Sequence, residues 1–102
     1  MIKPVLSTVF DGISIHIKWV CAKKTYQLCV GANTIMCDEQ TSTAPNQLQF
    51  TVNHTELTLK ITVYPLKETD IVGIYRQGIP YKLAAFRWSD ERCVSVSETA
   101  LA

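Results

Sequence analysis

Residues 5–21, VLSTVFDGISIHIKWVC, decide the fold. They set Asp11-Gly12 between two stretches that alternate apolar and polar residues. Asp-Gly is a strong hairpin signal, because a two-residue type I′ turn needs φ > 0 at both central positions. Closing the hairpin there sets Phe10 opposite Ile13, Thr8 opposite Ile15 and Leu6 opposite Ile17. One face then gathers Leu6, Phe10, Ile13, Ile15, Ile17 and Trp19, with Thr8 the exception. The other holds Ser7, Ser14, His16 and Lys18, with Val5 and Val9. A slip of one residue would mix the two sets, so a sheet with one buried side is specified early.

The same parity carries forward. A turn centred on Lys23-Lys24 sets Cys21 opposite Tyr26, Trp19 opposite Leu28 and Ile17 opposite Val30, apolar against apolar. A four-residue loop gives the same parity, and it is preferred because Lys-Lys is poor type I′ chemistry. A loop over Gly31–Thr34 sets Val30 opposite Ile35 and Leu28 opposite Cys37. Four consecutive strands thus share one inward face, which describes an antiparallel meander.

Residues 38–46, DEQTSTAPN, are polar and read as a surface loop, the natural crossover to a second sheet. A third hairpin follows around Asn53-His54, pairing Phe50 with Leu57 and Leu48 with Leu59. It ends at Pro65, which cannot donate to a ladder. A fourth, around Gln77-Gly78, pairs Ile74 with Tyr81 and Val72 with Leu83. Here the alternation is less clean. Val72, Ile74, Tyr81, Leu83 and Ala85 fall on one side, and Ile71, Tyr75, Pro80, Ala84, Phe86 and Trp88 on the other. Residues 82–91 also carry good helix formers, but a strand through Trp88 is favoured.

The expected strands lie near 4–10, 13–21, 25–30, 34–37, 47–52, 56–64, 70–76, 79–88 and 92–97. The fold class is all-β: a single domain over 1–102, built as an antiparallel hairpin meander of about 8 short strands that forms a small barrel or a flattened sandwich.

Composition excludes more than it assigns. A chain of 102 residues suffices for one core without staples. A net charge of +1 supplies no global field toward nucleic acid or an anionic membrane. No apolar run reaches the roughly 18 residues of a transmembrane helix, so a small soluble domain with no membrane role is expected. The chain opens on Met-Ile-Lys-Pro with no signal-peptide core, which suggests the cytoplasm of its own cell or of a host. If that Met is not native, a trimmed secreted protein is the alternative. Asn53-His54-Thr55 matches a glycosylation sequon, read here as chance.

Four cysteines invite a disulfide or a metal. Register points Cys21 and Cys37 inward but two strands apart, roughly 10 Å across the sheet. Cys29 points to the opposite face. No pair among these three meets the Cα separation of about 7 Å or less that a disulfide needs, which leaves Cys93 unplaced. Zinc-type Cys-x₂₋₄-Cys spacing is absent, so free packing thiols are expected. His16 and His54 read as surface residues. Gly12, Gly31, Gly73 and Gly78 are isolated, with no phosphate loop. No cofactor, metal or catalytic residue is expected.

One stretch looks interactive: residues 74–92, IYRQGIPYKLAAFRWSDER. Tyr75, Tyr81, Phe86 and Trp88 interleave there with Arg76, Lys82, Arg87 and Arg92. Tyr, Trp and Arg are enriched at binding hot spots. The plain alternative is that the aromatics fill a core while cationic stems line its rim. The sequence therefore points to a non-enzymatic protein-binding module, such as a small inhibitor, immunity or accessory protein. Its expected contact residues are Tyr75, Arg76, Tyr81, Lys82, Phe86, Arg87 and Trp88, and its partner is another protein or a second copy of itself. A small-ligand barrel and a single-stranded nucleic-acid-binding barrel are the alternatives. The first is disfavoured by large inward side chains and the second by the near-neutral charge.

Overall fold

The computed structural model describes residues 2–36 and 47–87. Within them run eight strands: β1 (Ile2–Phe10), β2 (Ile13–Val20), β3 (Thr25–Val30), β4 (Asn33–Met36), β5 (Gln47–Val52), β6 (Thr55–Tyr64), β7 (Thr69–Arg76) and β8 (Ile79–Arg87). They form two antiparallel sheets, β1-β2-β3-β4 and β5-β6-β7-β8. The arrangement is sandwich-like and not a closed barrel. The expected strand at 92–97 lies outside the described residues. No helix among those residues is long and apolar enough to cross a membrane.

Local turn chemistry explains the hairpins. Asp11-Gly12, Asn53-His54 and Gln77-Gly78 all have φ > 0 at both positions, from 45° at Asn53 to 77° at Gly12 and Gly78, as type I′ turns require. The first hairpin has the expected register: Phe10 opposite Ile13, Thr8 opposite Ile15, Leu6 opposite Ile17. The third also agrees, with Phe50 opposite Leu57 and Leu48 opposite Leu59. After β2 the longer loop is the one present. Val20 faces Thr25, so Trp19 faces Tyr26 and Ile17 faces Leu28. The β3–β4 connection is shorter than expected, with only Gly31 and Ala32 between Val30 and its partner Asn33. Both changes move partners by two residues and leave the inward face intact.

The fourth hairpin departs from expectation. Tyr75 pairs with Pro80 and Ile74 with Lys82, so Tyr81 is the extra residue of a β-bulge. Val72 therefore faces Ala84, not Leu83, and Asp70 faces Phe86. One added residue inverts the parity of the rest of β8. Phe86 turns into the core and is fully buried, while Leu83 turns out and is half exposed. β1 carries a similar bulge at Val5, just after Pro4. β1 and β8, each at the edge of its sheet, thus have a proline followed by a bulge, where a residue without an N–H is tolerated.

The two inward faces meet in one core. Leu6, Ile15, Ile17, Trp19, Tyr26 and Leu28 come from the first sheet; Leu48, Phe50, Val52, Leu57, Leu59, Val72, Ile74 and Phe86 come from the second. Full burial stabilises by about 1.5–3 kcal/mol for each large apolar side chain. Trp19, Tyr26 and Phe86 form an aromatic cluster with ring centroids 5.0–6.0 Å apart. Asp70 is buried beside it and accepts a hydrogen bond from the Tyr26 hydroxyl.

The expectation of free thiols is corrected at Cys21, which is disulfide-bonded. Cys21 follows the last residue of β2, in the loop, where strand parity no longer dictates direction. Cys29 is a free, half-buried thiol facing outward opposite His16.

Candidate functional site

The seven residues expected to form one contact surface are divided by the bulge into separate environments. Phe86 belongs to the core and leaves the candidate site. Trp88 lies outside the described residues. Tyr81 and Arg76 are brought together on Phe10, at the seam where β1 meets β8. The Tyr81 ring packs edge-on against Phe10 with centroids 5.3 Å apart. Its hydroxyl donates to the Val9 carbonyl at 2.7 Å. The Arg76 guanidinium sits 5.8 Å from the Phe10 ring centroid. A second tie between the sheets runs from the Asn53 amide, which donates to the Asp11 carbonyl and to its carboxylate at 3.2 and 3.1 Å. The sequon asparagine thus has a structural role.

Tyr75 lies elsewhere, on the outer face of the second sheet. Opposite-residue pairing puts Lys60 against Gly73 and Gly73 against Leu83, in a row across β6, β7 and β8. Gly73 is buried because Tyr75 and Leu83 cover it. A Cβ at this position would stand 2.5 Å from Leu83 Cδ2 and 2.8 Å from Tyr75 Cε1. Leaving out the side chain lets an aromatic ring lie flat along the strand, a known device for glycine in sheets. Lys60 Nζ is 5.7 Å from the Tyr75 ring centroid, a cation–π contact. Leu83 is 50% exposed, with Tyr81 at 44% and Ile79 at 68% further along the same strand. Lys82 and Arg87 are exposed on β8. The result is a patch of Tyr75 and Leu83 flanked by Lys60, while Tyr81 on Phe10 and Lys82 opposite Ile74 belong to the other side of the bulge.

Toward the turns this face opens into a polar groove of about 620 Å³, whose lining includes Gln49, Glu56, Thr58 and Arg76. Sequence reasoning missed Gly73, Lys60 and Leu83 as parts of a surface. The signal was Pro80: a proline inside a strand pattern marks an edge or a bulge, and a bulge there would have turned Leu83 outward.

On the outer face of the first sheet, Ser7, His16, Cys29 and Thr34 form a cross-strand row. Ser7 Oγ and His16 Nδ1 are 2.9 Å apart, and Cys29 Sγ contacts Gln27 Oε1 and Thr34 Oγ1 at 3.8 Å each. Among the described residues no third group orients His16, so the row lacks the relay that activates a nucleophile. Nor do three or more His, Cys, Asp or Glu converge among them as a metal-ligand set.

Compared with known proteins, the chain matches no family model, no curated protein and no solved structure.

Proposed function

We propose that this chain is a non-enzymatic protein-binding module whose contact surface is the outer face of β6–β8, centred on Tyr75. The supporting observation is Gly73. Its missing side chain lets Tyr75 and Leu83 form an apolar patch on a face that no other sheet among the described residues covers. Rigid aromatic anchors inside a polar rim are what binding hot spots look like. The rim cation Lys60, held over the Tyr75 ring, suits a partner whose own rim is acidic. Relative to the sequence reading, Phe86 drops out of the surface, and Leu83 and Lys60 enter it.

A protein-binding role is also favoured over a ligand-binding barrel, because the inward faces are filled by large side chains. The disulfide at Cys21 supports an oxidising compartment over the cytoplasm, since cytosolic thiols are kept reduced.

The test is affinity capture with wild type, Leu83→Lys and, as a control on the other sheet, Thr34→Lys. Partners retained by wild type and the control should be lost by Leu83→Lys. Equal recovery by all three would remove this surface from consideration.

A further inference from the structure

Among the described residues, the four edge strands are treated unequally. β1 carries Pro4, a bulge at Val5 and Lys3; β8 carries Pro80, a bulge at Tyr81, and Lys82 and Arg87. These devices prevent strand addition. β4 is only four residues long. β5, QLQFTV, has none of them: six residues in regular register, with no proline, bulge or charge. Among the described residues its one hydrogen-bonded neighbour is β6.

Hairpin geometry shows which backbone groups are left over. In a two-residue turn the flanking pair, here Val52 and Thr55, is hydrogen-bonded, and bonding then alternates along the ladder. Phe50 and Leu48 thus bond to β6. The N–H and C=O groups of Gln47, Gln49 and Thr51 face the open edge.

We infer that β5 is a self-pairing edge, joining a second copy of this chain antiparallel about Gln49. Centring on Gln49 sets it opposite itself and Gln47 opposite the Thr51 of the second copy, so every exposed donor and acceptor is matched. The same register sets Leu48 opposite Phe50, which keeps apolar against apolar on the inward side. With no charge in β5, two copies meet without like-charge repulsion, so a second copy is the occupant that fits. The product is one sheet of eight strands. Its two Tyr75 patches lie on the same side, five strand spacings apart or roughly 24 Å, a bivalent surface if the proposed function holds.

The experiment is analytical ultracentrifugation of wild type, Gln49→Lys, Thr51→Lys, Leu83→Lys and Ser14→Lys, with folding checked by thermal melts. Exposed Gln49 and Thr51 can take lysine without entering the core. Wild type and Ser14→Lys should dimerise with Kd on the order of 1–100 μM, as expected of a small interface. Both edge variants should weaken association at least tenfold while melting as wild type. A wild type still monomeric at about ten times that range overturns the inference, and so do edge variants that associate normally. Loss of the dimer in Leu83→Lys but not in Gln49→Lys would also overturn it, placing self-association on the Tyr75 face. Neither result depends on whether that face binds a different protein.

Discussion

The hydroxyl of Tyr26 in β3 donates to the carboxylate of Asp70 in β7, joining the two sheets through their core. Both residues are nearly inaccessible, at 5% and 2% exposure. Losing one partner of a buried hydrogen bond removes its contribution and leaves the Asp70 carboxyl with one donor fewer in the core. Tyr26→Phe should therefore lower stability by about 1–3 kcal/mol, read as a lower urea midpoint with an unchanged m-value. A midpoint equal to wild type would show that the bond contributes nothing net.

The placement of Phe86 gives a sharper contrast. As a fully buried member of the aromatic cluster, Phe86→Ala should cost about 3–5 kcal/mol. Arg76→Ala removes an exposed cation from the Phe10 ring and should cost under about 1 kcal/mol. Denaturant titrations of the two variants rank them directly. Similar small losses in both would return Phe86 to the surface.

His54 holds φ at 69° in its type I′ turn, a region that favours glycine. His54→Gly relieves that strain at some entropic cost in the unfolded chain. The expected net gain is about 0.5–1 kcal/mol, a rise of roughly 2–8 °C in Tm. A calorimetric melt with no rise, or with a fall, would contradict this.

Reduction should separate the cysteines. Opening the disulfide at Cys21 should lower stability by about 2–4 kcal/mol, seen as a lower Tm in reductant. Cys29→Ser should leave both the melt and its response to reductant unchanged, because Cys29 is already a free thiol.

Gly73→Ala tests the surface without threatening the core. The nearest atom to the new Cβ is the end of half-exposed Leu83, which can swing into solvent. Stability should change by less than about 1 kcal/mol, while the Tyr75 ring is displaced from the strand. Aromatic NMR shifts of Tyr75 should move, and partner capture should fall. An unmoved ring would show that the patch does not depend on Gly73.

The sequence by itself determined where the chain turns and which face of six strands points inward. Asp11-Gly12, Asn53-His54 and Gln77-Gly78 fall where local φ demands put them, and period-two alternation in a regular ladder preserves parity even when a loop length is misjudged by two. That is why the shifts after Val20 and Val30 did no harm. Only the tertiary structure decided the fate of β8. Pro80 relaxes the ladder locally, but Tyr81 bulges toward a ring and a carbonyl on β1, some seventy positions away, and one inserted residue exchanges the two faces. Phe86 thereby left the expected contact surface for the core, and Leu83 replaced it outside. The burial of Asp70 was hidden for the same reason: it depends on Tyr26, 44 positions away in sequence, and local pattern carries no information about what packs across a core.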